Sequence, residues 1–119
     1  MGLINIRGAV TAENTKDDIL DKTEKMLIKI IEENGLKISD ISSVLFTATK
    51  DLDKAYPAVA ARKLGITRAA LMCMQEMYVE GSLERCIRVM VTAESDKKQE
   101  SACHVYMGEA ERLRPDLKK

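Results

Sequence analysis

One stripe of apolar side chains constrains the fold of this chain more than any other feature. Between residues 19 and 31 it recurs every three or four positions, the spacing of one helix face. Thr15 can cap the start of this helix, and Gly35 stands where a left-handed residue commonly ends one. Such a helix, of about 20 residues, would be ~30 Å long. Because only one of its faces is apolar, we expect it to lie across a β-sheet.

Five other segments are predicted to be the β-strands of that sheet. They are residues 3–10, 43–48, 69–74, 85–93 and 104–107. The second is apolar almost throughout, which predicts an interior strand, and the fourth alternates between two faces. A shorter helix is predicted over 56–65, with Pro57 in its first turn and Gly65 at its end. Strands mixed with helices indicate an α/β or α+β protein around a largely buried sheet.

Length and aromatic content predict one domain with an aliphatic core. No repeat or Pro/Gly-rich linker divides the chain, so residues 1–119 are predicted to form a single domain. Aromatic residues make up only 3% of the chain, so the core has to be built from aliphatic and methionine side chains. With so few large side chains, association of subunits is a way to bury more apolar area.

Charge and hydropathy argue against several classes of protein. The 19 Lys and Arg residues balance 19 Asp and Glu residues, whereas phosphate backbones require a local excess of cations. We therefore expect no nucleic-acid partner. We also expect no membrane partner, because no apolar stretch approaches the roughly 18 residues of a spanning helix. Residues 1–7 lack the pattern of a signal peptide.

The cysteines and the single histidine predict a cytoplasmic protein without a metal site. Three cysteines, with no CxxC pair among them, are typical of free thiols in a reducing compartment. His104 is the only imidazole and has no cysteine pair beside it, so no metal is expected.

Arg88 is the most informative candidate for chemistry. It lies in the middle of an apolar strand, where an unpaired buried charge would be costly. A lone arginine on a strand most often faces solvent. Its neighbours on the same face, however, are Cys86 and Met90, which are not typical of a wet surface. We therefore expect an anionic group to meet Arg88.

Four further residues fit the same kind of site, although each has an ordinary explanation. Arg7 lies toward the end of the first strand, beside a glycine that permits close approach, and Glu76 follows the third strand as a loop carboxylate or salt-bridge partner. The ordinary explanation for Tyr106 is a tyrosine packed in the core, and for Cys73 it is an unreactive buried thiol. Arginines, one carboxylate and hydroxyl or thiol donors together suit a small polyanion that is held and stabilised electrostatically. No hydrolase, phosphate-loop or dinucleotide motif is present.

Five motifs, in order along the chain, carry a resemblance to a known family. They are IRGA at 6–9, CMQEM at 73–77, CIRVM at 86–90, HVY at 104–106 and LRPDL at 113–117. They closely resemble the bacterial monofunctional chorismate mutases of the trimeric pseudo-α/β-barrel class. The resemblance implies an α+β fold, with a mixed β-sheet and helices packed on one face, in a homotrimer that forms the pseudo-α/β barrel. It also implies active sites at the subunit interfaces and rearrangement of chorismate to prephenate without a cofactor.

The resemblance also implies roles for the candidate residues. Arg88 would donate to the ether oxygen as its bond to carbon breaks, and Glu76 would accept from the ring hydroxyl and offset positive charge on the ring. Cys73 would lie beside the same hydroxyl. Arg7 and Tyr106 would hold the side-chain carboxylate and the compact conformer of the substrate.

Rim residues complete the site that the resemblance implies. Tyr56 and Arg62 would come from the neighbouring subunit, and Leu113 and Arg114 would lie over the entrance. The sequence departs from the family pattern at three rim or wall positions. The departures are Tyr56 in place of Phe, Val59 in place of Lys, and Met72 in place of Thr. Of these, Tyr56 and Met72 are also expected to bind the substrate. They bear on affinity and not on the reaction.

Two other functions compete with a mutase at this point. One is an imine or enamine deaminase of a similarly folded trimeric family that also uses an interface arginine for a carboxylate. The other is a trimeric module that binds a regulatory metabolite. Neither accounts for Glu76, Cys73, Arg88 and Tyr106 together.

Overall fold

The protein folds around one mixed β-sheet of five strands. The computed structural model describes residues 2–113. Its strands are β1 (Gly2–Thr11), β2 (Ile41–Ala48), β3 (Ala70–Gln75), β4 (Cys86–Ser95) and β5 (Val105–Met107). They lie in the order β3-β2-β4-β1-β5. β4 is antiparallel to β1 and β2, whereas the two edge strands, β3 and β5, run parallel to their neighbours.

The long helix, α1 (Lys16–Glu33), confirms the prediction from the apolar stripe. The hydroxyl of Thr15 accepts a hydrogen bond from the backbone N–H of Asp18 at 3.1 Å and so caps the first turn. Gly35 follows the last turn in the left-handed region, with φ of +59°. The buried positions of the stripe are Ile19, Leu20, Thr23, Met26, Leu27 and Ile30.

The remaining elements differ from the predicted bounds mainly at their ends. The second helix, α2 (Ala58–Lys63), is shorter than the predicted 56–65, because Pro57 precedes it as its N-terminal cap. β4 begins one residue later than predicted, since Arg85 has a φ of +49° that no strand residue adopts. Short 3-10 helices cover Ile38–Asp40, Gln99–Ser101 and Gly108–Arg112. β2 lies between β3 and β4, so its predicted interior position is confirmed.

The two faces of the sheet have different surroundings. α1 and α2 pack on one face, and the core between them and the sheet includes Ile6, Met26 and Phe46, each with no exposed surface. The predicted α+β class with helices on one face is thereby confirmed. The opposite face, which we term the open face, carries exposed apolar side chains. They are Leu3, Leu45, Met72, Met74 and Met90, 38% to 59% exposed. Within the described residues, no helix is long and apolar enough to cross a membrane.

α1 packs tightly against the sheet at Gly8. A Cβ atom at this position would lie 2.8 Å from Cδ1 of Ile30, 3.1 Å from Cγ1 of Val89 and 3.2 Å from Sδ of Met26. The close approach that the sequence predicted at Gly8 is therefore made by core side chains.

We expect Gly8→Ala to destabilise the protein by about 1–3 kcal/mol, because the added methyl group overpacks a buried site. The measurement is thermal and denaturant unfolding of the variant beside wild type. Gly2→Ala is the matched control, since its Cβ would have only the carbonyl oxygen of Ser95 nearby, at 3.9 Å. Equal stability of the two variants would contradict the prediction.

Candidate active site

A cleft of about 350 Å³ opens on the open face of the sheet. Its size suits a small-molecule ligand. Its polar lining comes from four strands and from the end of β3. The residues that matter below are Arg7, Thr47, Glu76, Arg88, Tyr106 and Leu113.

Strand pairing brings the cleft residues together from distant parts of the chain. On β4, Arg88 lies opposite Ala9 of β1 and opposite Thr47 of β2. Ala9 in turn pairs with Tyr106 of β5. The backbone N–H of Arg7 donates to Nδ1 of His104 at 2.9 Å, which ties β1 to the segment just before β5. The cleft floor is therefore held by paired strands, which position side chains more precisely than loops do.

An ion pair between Arg88 and Glu76 lies at the centre of the cleft. Nε of Arg88 is 3.3 Å from Oε1 of Glu76, and their side chains are 48% and 26% exposed. Thr47 donates its hydroxyl proton to the same Oε1 at 2.7 Å. The backbone N–H of Glu76 also donates to the carbonyl of Ala48 at 2.9 Å. The anionic group expected near Arg88 is, in this chain, the carboxylate of Glu76.

The charges around the cleft favour an anionic ligand. Two guanidinium groups, from Arg7 and Arg88, line it together with one carboxylate, from Glu76. The lining therefore keeps one positive charge in excess. Guanidinium groups bind carboxylates with paired, charge-assisted hydrogen bonds, so a ligand with carboxylate groups fits this balance.

Cys86 lies on β4, two residues before Arg88, but has no reactive thiolate. It is packed with Ala9 and Ala110, and only 3% of its surface is exposed. Burial raises the pKa of its thiol to about 11, although nearby Arg88 opposes the shift. The thiol therefore stays protonated at neutral pH and supplies no nucleophile to the cleft.

The other residues predicted for the site lie apart from the cleft within a single chain. Tyr56, which is 72% exposed, and Cys73 line a second depression of about 450 Å³ at the end of β3. Cys73 pairs with Phe46 and packs against the core, so it does not share the cleft with Glu76. Met72 is 56% exposed on β3, and Arg62 is exposed on α2.

The structure thus separates the predicted residues into two groups. One chain brings together Arg7, Glu76, Arg88, Tyr106 and Leu113. It leaves Tyr56, Arg62, Met72 and Cys73 outside the cleft. Arg114 lies outside the described residues. Between residues 2 and 113, no cluster of three or more His, Cys, Asp or Glu side chains could hold a metal ion.

Sequence reasoning missed Thr47. Its only signal was a hydroxyl in the otherwise apolar segment 44–48, two residues from Leu45 and so on the same face of the strand. Nothing in that local pattern showed that Glu76 would lie within hydrogen-bond distance.

Comparison with known proteins assigns the family. Residues 3–117 match the family model for chorismate mutase type I. The chain is 47% identical over 119 residues to the chorismate mutase AroH of Bacillus subtilis, covering 98% of this chain and 94% of that protein. It is 45% identical over 114 residues to the AroH of Thermus thermophilus, covering 94% and 93%.

A solved structure agrees with these relatives. The chorismate mutase from Clostridium thermocellum superposes with a TM-score of 0.90 at 52% identity, covering 92% of this chain and 98% of that one. The resemblance carried by the five motifs is confirmed, and the chain belongs to the chorismate mutase type I family, whose members are isomerases.

Proposed function

We propose that the protein rearranges chorismate to prephenate in this cleft, without a cofactor, as a homotrimer in the cytoplasm. The observation that carries the proposal is the pairing of Arg88 with Glu76 on a rigid sheet, with Arg7 and Tyr106 in the same cleft. These are the residues that family resemblance implies for the reaction. Cys73 and Cys86 are free thiols, which fits a reducing compartment.

The rearrangement needs electrostatic help and no proton transfer. In one step, the ether carbon–oxygen bond of chorismate breaks while a new carbon–carbon bond forms. Negative charge develops on the ether oxygen and positive charge on the ring. Arg88 donates to that oxygen, and this interaction is stronger in the transition state than in the bound substrate, so it accelerates the reaction.

Glu76 acts on the opposite charge. One of its carboxylate oxygens accepts from the ring hydroxyl and lies close enough to oppose the positive charge on the ring. Arg7 and Tyr106 bind the side-chain carboxylate and hold the substrate in the compact conformer that reacts, which lowers the entropic part of the barrier. Leu113, which lines the cleft, covers the entrance.

Trimer formation completes the site in this proposal. The open face of the sheet exposes an apolar surface that includes Leu3, Leu45 and Met90, and a monomer rarely leaves such a surface uncovered. Packing of three such faces into a barrel-like core buries it.

The neighbouring subunit supplies the second group of residues. Tyr56, Arg62, Met72 and Cys73 lie outside the cleft of their own chain, so they are free to line the cleft of the next. Val59 and Met72, which depart from the family pattern, lie at its wall and affect affinity for substrate.

The test is to follow the disappearance of chorismate with purified protein and no added cofactor. We expect an acceleration of at least roughly 10⁶-fold over buffer, the lower end of enzymatic rate enhancements. Heat-unfolded protein is the control. A rate equal to that in buffer would contradict the proposal and favour the deaminase or the metabolite-binding module.

A further inference from the structure

We propose that Thr47 is a positioning residue for Glu76. Its hydroxyl group fixes one carboxylate oxygen of Glu76 against Arg88, which leaves the other oxygen directed to the ligand. As a statement about catalysis, this inference rests on the proposed function.

Both fixed contacts of the carboxylate fall on one atom. Oε1 of Glu76 accepts the hydroxyl proton of Thr47 at 2.7 Å and lies 3.3 Å from Nε of Arg88. Within residues 2–113, no hydrogen bond engages Oε2. Oε2 therefore keeps its capacity to accept a hydrogen bond from a hydroxyl group in the cleft.

The sheet holds Thr47 where this contact requires it. Thr47 lies directly opposite Arg88 in the pairing of β2 with β4, so the hydroxyl and the guanidinium approach Glu76 from adjacent strands. The next residue on β2, Ala48, accepts the backbone N–H of Glu76. Glu76 is thus bound to β2 through both its backbone and its side chain, at the point where the chain leaves β3.

The ion pair alone would not orient the carboxylate. Nearly half of the Arg88 side chain is exposed, and an exposed ion pair contributes little and tolerates several geometries. Without the hydroxyl, the carboxylate can turn and offer both oxygens to the guanidinium. That arrangement would take Oε2 away from the substrate hydroxyl and also weaken the attraction of Arg88 for the developing oxyanion.

Thr47→Val and Thr47→Ser test the inference in the intact enzyme. Valine removes the hydroxyl group at similar shape, and we expect kcat to fall roughly 10- to 100-fold, the range for a hydrogen bond to a charged group. KM should change little, because the oriented oxygen acts mainly on the transition state. Serine keeps the hydroxyl group and should restore most of kcat.

Thr92→Val is the matched control. Thr92 also donates a 2.7 Å hydrogen bond, to Oδ1 of Asn5, but it does not line the cleft. We expect wild-type kcat from it. Equal losses in Thr92→Val and Thr47→Val, or a loss in Thr47→Ser as large as in Thr47→Val, would overturn the inference.

A double-mutant cycle assigns the effect to Glu76. In a Glu76→Gln background, adding Thr47→Val should lower kcat by less than twofold, since the carboxylate it positions is already gone. A full 10- to 100-fold loss in that background would show that Thr47 acts elsewhere.

A crystal structure of Thr47→Val separates this inference from the proposed function. Rotation of the Glu76 carboxylate toward a two-oxygen contact with Arg88 would support the positioning role whatever the substrate. An unmoved carboxylate would overturn it even if the wild-type enzyme proved to be an active mutase. Conversely, inactive wild-type protein with a rotated carboxylate in the variant would overturn only the proposed function.

Discussion

Arg88→Ala should lower kcat by about 10²- to 10³-fold, equivalent to ~3–4 kcal/mol of lost transition-state stabilisation. The substitution removes the donor that meets the developing negative charge on the ether oxygen. It also leaves the carboxylate of Glu76 without its cationic partner at 3.3 Å, so an unopposed negative charge would face the reacting oxygen. Steady-state kinetics with chorismate measures the loss, and KM should rise less than kcat falls.

Two variants test whether the loss comes specifically from the guanidinium group of Arg88. Arg68→Ala removes an exposed arginine that does not line the cleft, and it should keep wild-type kcat. Arg88→Lys retains the positive charge but not the fork of donors, and it should recover only part of the activity. A wild-type turnover number in folded Arg88→Ala would show that the oxyanion is stabilised by another group.

Mixed trimers should regain activity that neither of two parent variants has. We expect Arg62→Ala and Arg88→Ala each to be strongly impaired, because each damages every site of its own homotrimer. If Arg62 completes the site of a neighbouring subunit, unfolding and refolding an equal mixture should restore about one quarter of the sites, those that pair an intact Arg88 with an intact Arg62. Activity per subunit measures the recovery.

The control for this experiment uses two residues of the same cleft. Arg88→Ala mixed with Glu76→Gln should regain nothing, because no chain then carries both groups intact. Native mass spectrometry, with one variant labelled by ¹⁵N, verifies that the trimers are mixed. Mixed trimers of Arg62→Ala and Arg88→Ala that remain as inactive as their parents would show that the two arginines do not serve one shared site.

The secondary structure was largely predictable because its signals are local. The stripe of α1, its cap at Thr15 and its glycine at 35 all lie within one segment, and the structure confirms them. The alternation predicted along β4 is likewise confirmed, since Ile87, Val89 and Val91 are buried whereas Arg88 and Met90 are exposed. Element ends were less predictable: α2 is shorter than expected, because Pro57 precedes it as its cap instead of lying in its first turn.

The candidate site likewise has residues that the sequence could predict and contacts that it could not. Arg7, Glu76, Arg88 and Tyr106 could be singled out because each is a polar group at an unusual place in an apolar pattern, and the family motifs contain them. That Cys73 packs toward the core, away from Glu76, depends on the face of β3 it occupies and on its pairing with Phe46. A short segment such as β3 gives little periodicity from which to predict that face.

By itself, the amino-acid sequence determined the family, the class of fold and the charged groups available for catalysis. Only the tertiary structure decided which of those groups meet. The pairing of β2 with β4 places Thr47 beside the Arg88–Glu76 pair, and the sheet leaves Tyr56, Arg62, Met72 and Cys73 outside the cleft of their own chain. The physical reason is that helix and strand patterns are encoded within a few residues. Contacts between residues 29 or more positions apart depend instead on strand order and register, which no single segment encodes.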